Sequence, residues 1–115
     1  MTIRVMVVED EAILAIDIAE RLTEAGFVIV GPASSVAKAL KLVVDIGCDV
    51  AVLDVNLRDE TVEPIARALR SRGKPFLFLS AVSRENLPPE FGDELLLAKP
   101  TRTEVLVEAL RKSIK

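Results

Sequence analysis

The stretch IRVMVVEDE at residues 3–11 decides the fold, because a run of apolar residues leads directly into three acids. Near-continuous branched apolar residues without polar alternation indicate a strand that is buried on both faces, as in a parallel sheet. Four further runs share this character, and the five begin 19 to 26 residues apart: Ile3–Val8, Phe27–Val30, Val50–Leu53, Phe76–Leu79 and Leu95–Ala98. Five such strands need helices on both faces of the sheet.

The segments between the runs supply these helices. Apolar residues recur at helical spacing in the first three of these segments and again after the last run, and Gly26, Gly47 and Gly73 follow the first three patterns. The predicted core-facing positions are Ile13, Leu14, Ile18 and Leu22; Val36, Leu40 and Val43; Ile65, Ala68 and Leu69; and Val105, Leu106, Ala109 and Leu110. Pro88-Pro89 precedes the last run and cannot lie inside a helix, so at most one or two turns are expected there.

The alternation of strands and helices predicts an α/β fold of the flavodoxin-like, doubly wound kind. Its five-stranded parallel sheet should have the strand order 2-1-3-4-5, right-handed crossovers and a shortened fourth crossover helix. The 115 residues suffice for one domain and not for two, so a single domain over residues 1–115 is expected.

Composition narrows the function. The net charge of −3 argues against a nucleic-acid surface, and no apolar run approaches the roughly 20 residues of a membrane span. The absence of histidine excludes Ser-His-Asp and Cys-His catalysis and any histidine-ligated metal within this chain. The single cysteine, Cys48, suits a buried apolar role in a reducing compartment. We therefore expect a cytoplasmic chain with no nucleic-acid or membrane partner.

Polar residues follow four of the five predicted strands. Glu9 and Asp10 follow the first, Asp54 the third, Ser80 the fourth and Lys99 the fifth. Ligands of open parallel sheets bind outside the carboxyl ends of the strands, so these side chains should share one edge. Taken singly, each has a structural explanation: a helix cap for Asp10 and Ser80, a turn for Asp54, a solvated side chain for Lys99.

Taken together, these residues describe one reaction. Asp10 and Asp54 should face each other with Glu9 close by, and three carboxylates repel one another unless a cation joins them. Mg²⁺ is the expected cation, because it takes oxygen ligands and keeps room for a phosphate. Lys99 and Ser80 would then hold phosphoryl oxygens, which leaves Asp54 as the nucleophile that forms an acyl phosphate.

Four short motifs at the strand ends resemble the receiver domain of two-component response regulators, of the stand-alone, chemotaxis-regulator-like kind. The resemblance covers essentially the whole chain. The motifs are Val7-Val8-Glu9-Asp10-Glu11, Leu53-Asp54-Val55-Asn56, Leu79-Ser80-Ala81 and Ala98-Lys99-Pro100. Each is weak alone, but four in order are a strong signal.

The resemblance implies a role for each matched residue. Asp54 corresponds to the phosphoacceptor, Ser80 to the switch hydroxyl and Lys99 to the lysine that contacts the phosphoryl group. The implied metal ligands are the acidic pair and two groups of the second motif: Glu9, Asp10, Asp54 and the backbone carbonyl of Asn56. The family acts as a phosphoacceptor rather than as a turnover enzyme, with Mg²⁺ as its cofactor.

The resemblance also implies partners. The donor would be a phosphohistidine on a sensor histidine kinase or a histidine phosphotransfer protein, and the output would be docking to a downstream protein target. Leu96 departs from the family, which often has Tyr or Phe three residues before the lysine. The conformational response is therefore expected to centre on Ser80 and residues 81–93 without an aromatic rotamer change.

Three other functions compete with this interpretation. A receiver that keeps the fold could bind a partner without being phosphorylated. An aspartyl-nucleophile phosphatase or mutase would suit the same fold, but those enzymes resemble one another in a second Asp where this chain has Asn56. A nucleotide or flavin carrier needs a Gly-rich or hydroxyl-rich first loop, and here that loop is acidic.

Overall fold

The protein is described by a computed structural model that covers residues 2–57, 60–81 and 89–114. Its five strands are parallel and form one sheet in the order β2-β1-β3-β4-β5. The strands are β1 (Arg4–Val8), β2 (Val28–Ala33), β3 (Val50–Asp54), β4 (Phe76–Ser80) and β5 (Leu96–Ala98). The predicted flavodoxin-like sheet and its strand order are confirmed.

Helices cover both faces of the sheet. They are α1 (Ala12–Glu24), α2 (Val36–Asp45), α3 (Glu63–Ser71) and α4 (Thr103–Ser113). Side chains alternate across the strands, so one half of the core joins α1 and α4 to one face and the other half joins α2 and α3 to the opposite face. This two-sided burial is what the long apolar runs of the strands require.

The five strands are not equally buried, which corrects one expectation. In β1, β3 and β4 nearly every residue is buried, as predicted. The edge strands β2 and β5 are partly exposed, and Val28 has 46% of its surface accessible. An edge strand has one neighbour instead of two and less helix above it, so an apolar run there does not imply burial on both faces.

Two of the predicted core positions are wrong. Ile13 is 79% exposed, and Val105 is 46% exposed. The buried stripe of α1 runs through Ala15, Ile18 and Leu22, and Ile13 lies two residues before it, about 200° around the helix. Val105 is displaced in the same way by one residue from the buried stripe of α4. The remaining predicted positions are buried or half-buried.

The segment before β5 begins, within the described residues, with one turn of 3₁₀ helix at Pro89–Phe91. Phe91 is fully buried, and its ring packs edge-to-face against the rings of Phe76 and Phe78. Residues 82–88, on which the expected response of the segment after Ser80 partly rests, lie outside the described residues. The short helical turn agrees with the predicted shortening of the fourth crossover.

Two further expectations can be compared with the structure. Cys48 is buried at the approach to β3, as predicted for its apolar role. Across residues 2–57, 60–81 and 89–114, none of the helices combines the length and apolar character needed to span a bilayer.

Candidate functional site

The register of the central strands brings four polar positions to one edge of the sheet. Val8 pairs with Leu53 in β3, so Glu9, directly after β1, lies beside Asp54, the last residue of β3. Asp54 in turn pairs with Leu79, and Ser80 pairs with Ala98 of β5. The carboxyl ends of β1, β3, β4 and β5 therefore meet where the crevice of an open parallel sheet lies.

Three carboxylates cluster at this edge. One oxygen each from Glu9, Asp10 and Asp54 lies within 4.8 Å of the other two. Glu9 and Asp54 are each only 2% exposed, whereas Asp10 is half-buried. The structure thus brings together the acids that were predicted from the sequence to face each other. Two of them are buried at the carboxyl ends of the central strands.

Lys99 enters the same cluster from the end of β5. Its Nζ donates a hydrogen bond of 2.7 Å to Oε1 of Glu9 and lies 3.2 Å from Oδ1 of Asp54. The side chain is 19% exposed, so the alternative of a solvated lysine is wrong. Burial by itself lowers the pKa of the Lys99 amine, but the hydrogen bond to Glu9 and the charge of Asp54 outweigh it and raise the pKa above its usual value. The ammonium therefore remains charged.

The carboxylate of Glu9 lies where burial makes its charged form unfavourable. Oε1 accepts from Lys99, and Oε2 accepts a 3.2 Å hydrogen bond from the backbone N–H of Glu11. Burial still raises the pKa of Glu9, since these two bonds offset only part of the lost hydration and Asp54 repels the negative charge. A further cation at this edge would relieve the repulsion.

The loop after β3 connects Asp54 to Ser80 through Asn56. The backbone N–H of Asn56 donates to Oδ1 of Asp54 at 3.1 Å. The hydroxyl of Ser80, which is 1% exposed, donates to Oδ1 of Asn56 at 3.0 Å. The sequence analysis assigned a role only to the backbone carbonyl of Asn56. A hydrogen bond between two side chains that are 24 residues apart leaves no signal in a single sequence.

The structure rejects the purely structural explanation for Asp10 and confirms the one for Asp54. Helix α1 is capped at Glu11 without a side-chain hydrogen bond, so Asp10 is not its N-cap. Asp54 does open a turn, since it accepts from the backbone two residues ahead. The turn and the cluster share one oxygen, because the backbone N–H of Asn56 and the Lys99 ammonium both contact Oδ1 of Asp54.

The donor set fits a hard divalent cation. The clustered ligand atoms are carboxylate oxygens, which suit Mg²⁺ rather than softer metals. Asp10 is the least buried of the three acids, and Lys99 contacts the two buried ones.

An open groove of about 460 Å³ adjoins Lys99 between α1 and the connection from β5 to α4. Its lining includes Leu14, Ile18, Ala81 and Pro100. Ala81 is small and exposed, so its own side chain leaves the edge next to Ser80 open.

Comparison with known proteins independently tests the resemblance to receiver domains. No family model matches the sequence. The chain is 30% identical over 115 residues to the transcriptional regulatory protein PdtaR of Mycobacterium tuberculosis, in an alignment that covers 96% of this chain and 56% of PdtaR. The chain therefore spans about half the length of this curated relative.

Solved structures agree over nearly the full length of both chains. A response regulator receiver protein from Sinorhizobium medicae WSM419 is 26% identical, with a TM-score of 0.83 over 98% of this chain and 94% of that one. The BeF3-activated conformation of SdrG from Pseudomonas melonis Fr1 is 35% identical, with a TM-score of 0.81 over 97% and 96% of the two chains.

A five-stranded parallel sheet with acids, a serine and a lysine at its carboxyl edge defines a receiver-type signalling module. Together with these relatives, it shows that the chain belongs to the receiver domains of the response regulators of two-component signalling.

Proposed function

We propose that this receiver domain, residues 1–115, accepts a phosphoryl group on Asp54 in a reaction that depends on Mg²⁺. The donor is a phosphohistidine of a sensor histidine kinase or a histidine phosphotransfer protein. One observation carries the proposal: the buried Asp54 carboxylate lies 3.2 Å from the Lys99 ammonium and shares its strand edge with two further acids.

The chemistry follows from these charges. An oxygen of Asp54 attacks the phosphorus, an O–P bond forms, and the P–N bond to the donor imidazole breaks with its electron pair going to the nitrogen. The phosphoryl oxygens carry negative charge throughout, and the Lys99 ammonium is already in place to stabilise it. Because Lys99 also contacts Glu9, its position is fixed before the donor arrives.

Glu9, Asp10, Asp54 and the backbone carbonyl of Asn56 are the groups that would hold the metal. When bound, Mg²⁺ supplies positive charge against the acids and the phosphoryl oxygens. The chain itself positions the nucleophile: Lys99 and the backbone N–H of Asn56 hold the Asp54 carboxylate, and burial limits the access of water to it.

The readout of phosphorylation is a change in which proteins the domain binds. Ser80 ends β4 next to Asp54 and can turn its hydroxyl towards phosphoryl oxygens with a charge-assisted hydrogen bond. Leu96, half-buried in β5, carries no ring or phenol that could report the movement. The response is therefore expected to centre on Ser80 and residues 81–93.

The test is phosphorylation by a small donor. The protein is incubated with Mg²⁺ and acetyl phosphate, and its intact mass is measured. We expect the mass of one phosphoryl group, lost on mild base treatment, in wild type and in Asp45→Asn, whose exposed side chain pairs with Lys41 at the end of α2. Asp54→Asn should show no gain. An unmodified wild type would favour the alternative of a non-phosphorylated interaction module, and full modification of Asp54→Asn would overturn the assignment of the nucleophile.

A further inference from the structure

The hydroxyl of Ser80 is engaged in the unmodified protein. It lies at the end of β4 with 1% of the residue exposed, and it donates to Oδ1 of Asn56 at 3.0 Å. Asn56 itself is exposed in the loop that follows β3. A buried hydroxyl is thus held by the side chain of a surface loop residue that follows Asp54 at a distance of two residues.

A serine hydroxyl carries one proton and donates one hydrogen bond at a time. Donation to Asn56 and donation to a phosphoryl oxygen are therefore alternatives. We propose that the carboxamide of Asn56 is a latch that holds Ser80 in the resting orientation and must be released before Ser80 can bind the phosphoryl group. This role rests on the proposed phosphorylation of Asp54 and makes Asn56 a positioning residue that sets how readily the domain switches.

The backbone of Asn56 strengthens the assignment. Its N–H donates to Oδ1 of Asp54 at 3.1 Å, and the Lys99 ammonium lies 3.2 Å from the same oxygen. Asn56 thus contacts the phosphoacceptor through its backbone and the switch hydroxyl through its side chain. A change at the Asp54 carboxylate alters the hydrogen bonds of the residue that holds Ser80, so the latch is coupled directly to the event it reports.

The latch predicts a specific energetic coupling. Beryllofluoride with Mg²⁺ serves as the phosphoryl probe, since a relative with 35% identity adopts a BeF3-activated conformation. Wild type, Asn56→Ala, Ser80→Ala and the double variant are titrated with it. Because the chain has no Trp or Tyr for fluorescence, backbone amide resonances of residues 79–81 report binding. Asn56→Ala should bind about two- to tenfold more tightly than wild type, the factor that one net hydrogen bond supplies.

In the Ser80→Ala background the latch has no donor, so the Asn56→Ala change should leave the affinity unaltered. Replacement of the Asn56 side chain leaves its backbone carbonyl and N–H in place, and a separate Mg²⁺ titration checks that metal affinity is equal with and without the carboxamide. Glu60→Gln is the matched loop control, because its side chain can still accept from the backbone N–H of Val36. It should bind like wild type.

The outcomes separate the latch from the proposed function. A wild type that does not respond to the probe contradicts phosphorylation at this site, and the latch with it. A responding wild type whose affinity is unchanged by Asn56→Ala, or changed equally with and without the Ser80 hydroxyl, overturns the latch alone. Tighter binding that depends on Ser80 supports it.

Discussion

Two clusters of ion pairs on this domain consist of similar side chains but have different roles. One is the acidic edge at the ends of the central strands, formed by Glu9, Asp10, Asp54 and Lys99. The other, the α3 cluster, joins helix α3 to the chain before β5 and consists of Glu63, Arg67, Arg70, Glu90 and Glu94. The difference between them lies in burial.

The α3 cluster lies at the surface. Arg67 contacts Glu63 and Glu90, and Arg70 contacts Glu94, with side chains 30% to 55% exposed. Arg70 also lies 4.6 Å from the centre of the Phe91 ring. Such exposed pairs contribute little to stability individually, but they hold the 3₁₀ turn against α3. The α3 cluster is a structural contact.

The acidic edge is organised in the opposite way. Glu9 and Asp54 are almost fully buried, and among the described residues Lys99 is the cation that contacts them. Two adjacent buried carboxylates are costly unless positive charge offsets them. The proposed Mg²⁺ would add that charge and leave Lys99 to stabilise the phosphoryl oxygens. The comparison therefore separates a site for ligands from a contact between elements, and variants in the two clusters should behave differently.

The largest difference is expected from the two basic residues. Lys99→Ala should lower the rate of phosphorylation by acetyl phosphate on the order of 100-fold, because it removes the charge that stabilises the phosphoryl oxygens. Arg67→Ala, in the α3 cluster, should leave the rate unchanged. Rates from intact mass against time decide the matter, with circular dichroism to show that both variants are folded. A wild-type rate in Lys99→Ala would remove the role assigned to that lysine.

A smaller contrast is expected within the acidic edge itself. Asp10→Ala should weaken Mg²⁺ binding by about tenfold or more, and Glu9→Ala should weaken it less. The reason is that both carboxylate oxygens of Glu9 already accept hydrogen bonds, from Lys99 and from the backbone of Glu11. Calorimetric titration with Mg²⁺ measures both. Equal metal affinity in wild type and Asp10→Ala would count against the metal site.

The smallest effect belongs to the α3 cluster and depends on pH. The hydrogen bond from Arg67 holds the pKa of Glu90 below its ordinary value of 4.5. The pair therefore contributes stability above that value and loses it as the pH falls through the lowered pKa of the folded state. Glu90→Gln should reduce the unfolding midpoint slightly at neutral pH and low salt, and not in acid or at high salt. A large loss that persists in high salt would mean that Glu90 acts by packing.

The sequence was informative where the physics is periodic and local. The buried central strands and the polar residues at their ends could be predicted because a parallel sheet needs apolar runs and places its crevice at the carboxyl edge. It was less informative where burial depends on the neighbours. Ile13 and Val105 are apolar at helical spacing yet exposed, and the edge strand β2 is apolar yet half open.

The functional site was likewise predictable from the sequence only in part. Residue types at the strand ends indicated that Glu9, Asp54 and Lys99 would meet, and the structure brings them together. The hydrogen bond between Ser80 and Asn56 could not be predicted, because it depends on how the loop after β3 bends over the end of β4. Single-sequence patterns place strand ends but do not fix the path of the loops that leave them.

The central claim, that the buried carboxylate of Asp54 is the nucleophile at the acidic edge, is tested most directly by trapping its product. The protein is treated with acetyl phosphate and Mg²⁺, then with borohydride, which reduces an aspartyl phosphate to homoserine. Trypsin places Asp10 in the peptide of residues 5–21 and Asp54 in that of residues 42–58, where Asp45 and Asp49 are internal controls. Fragmentation should locate homoserine at position 54 alone. Homoserine at position 10, 45 or 49, or none in either peptide, would contradict the account.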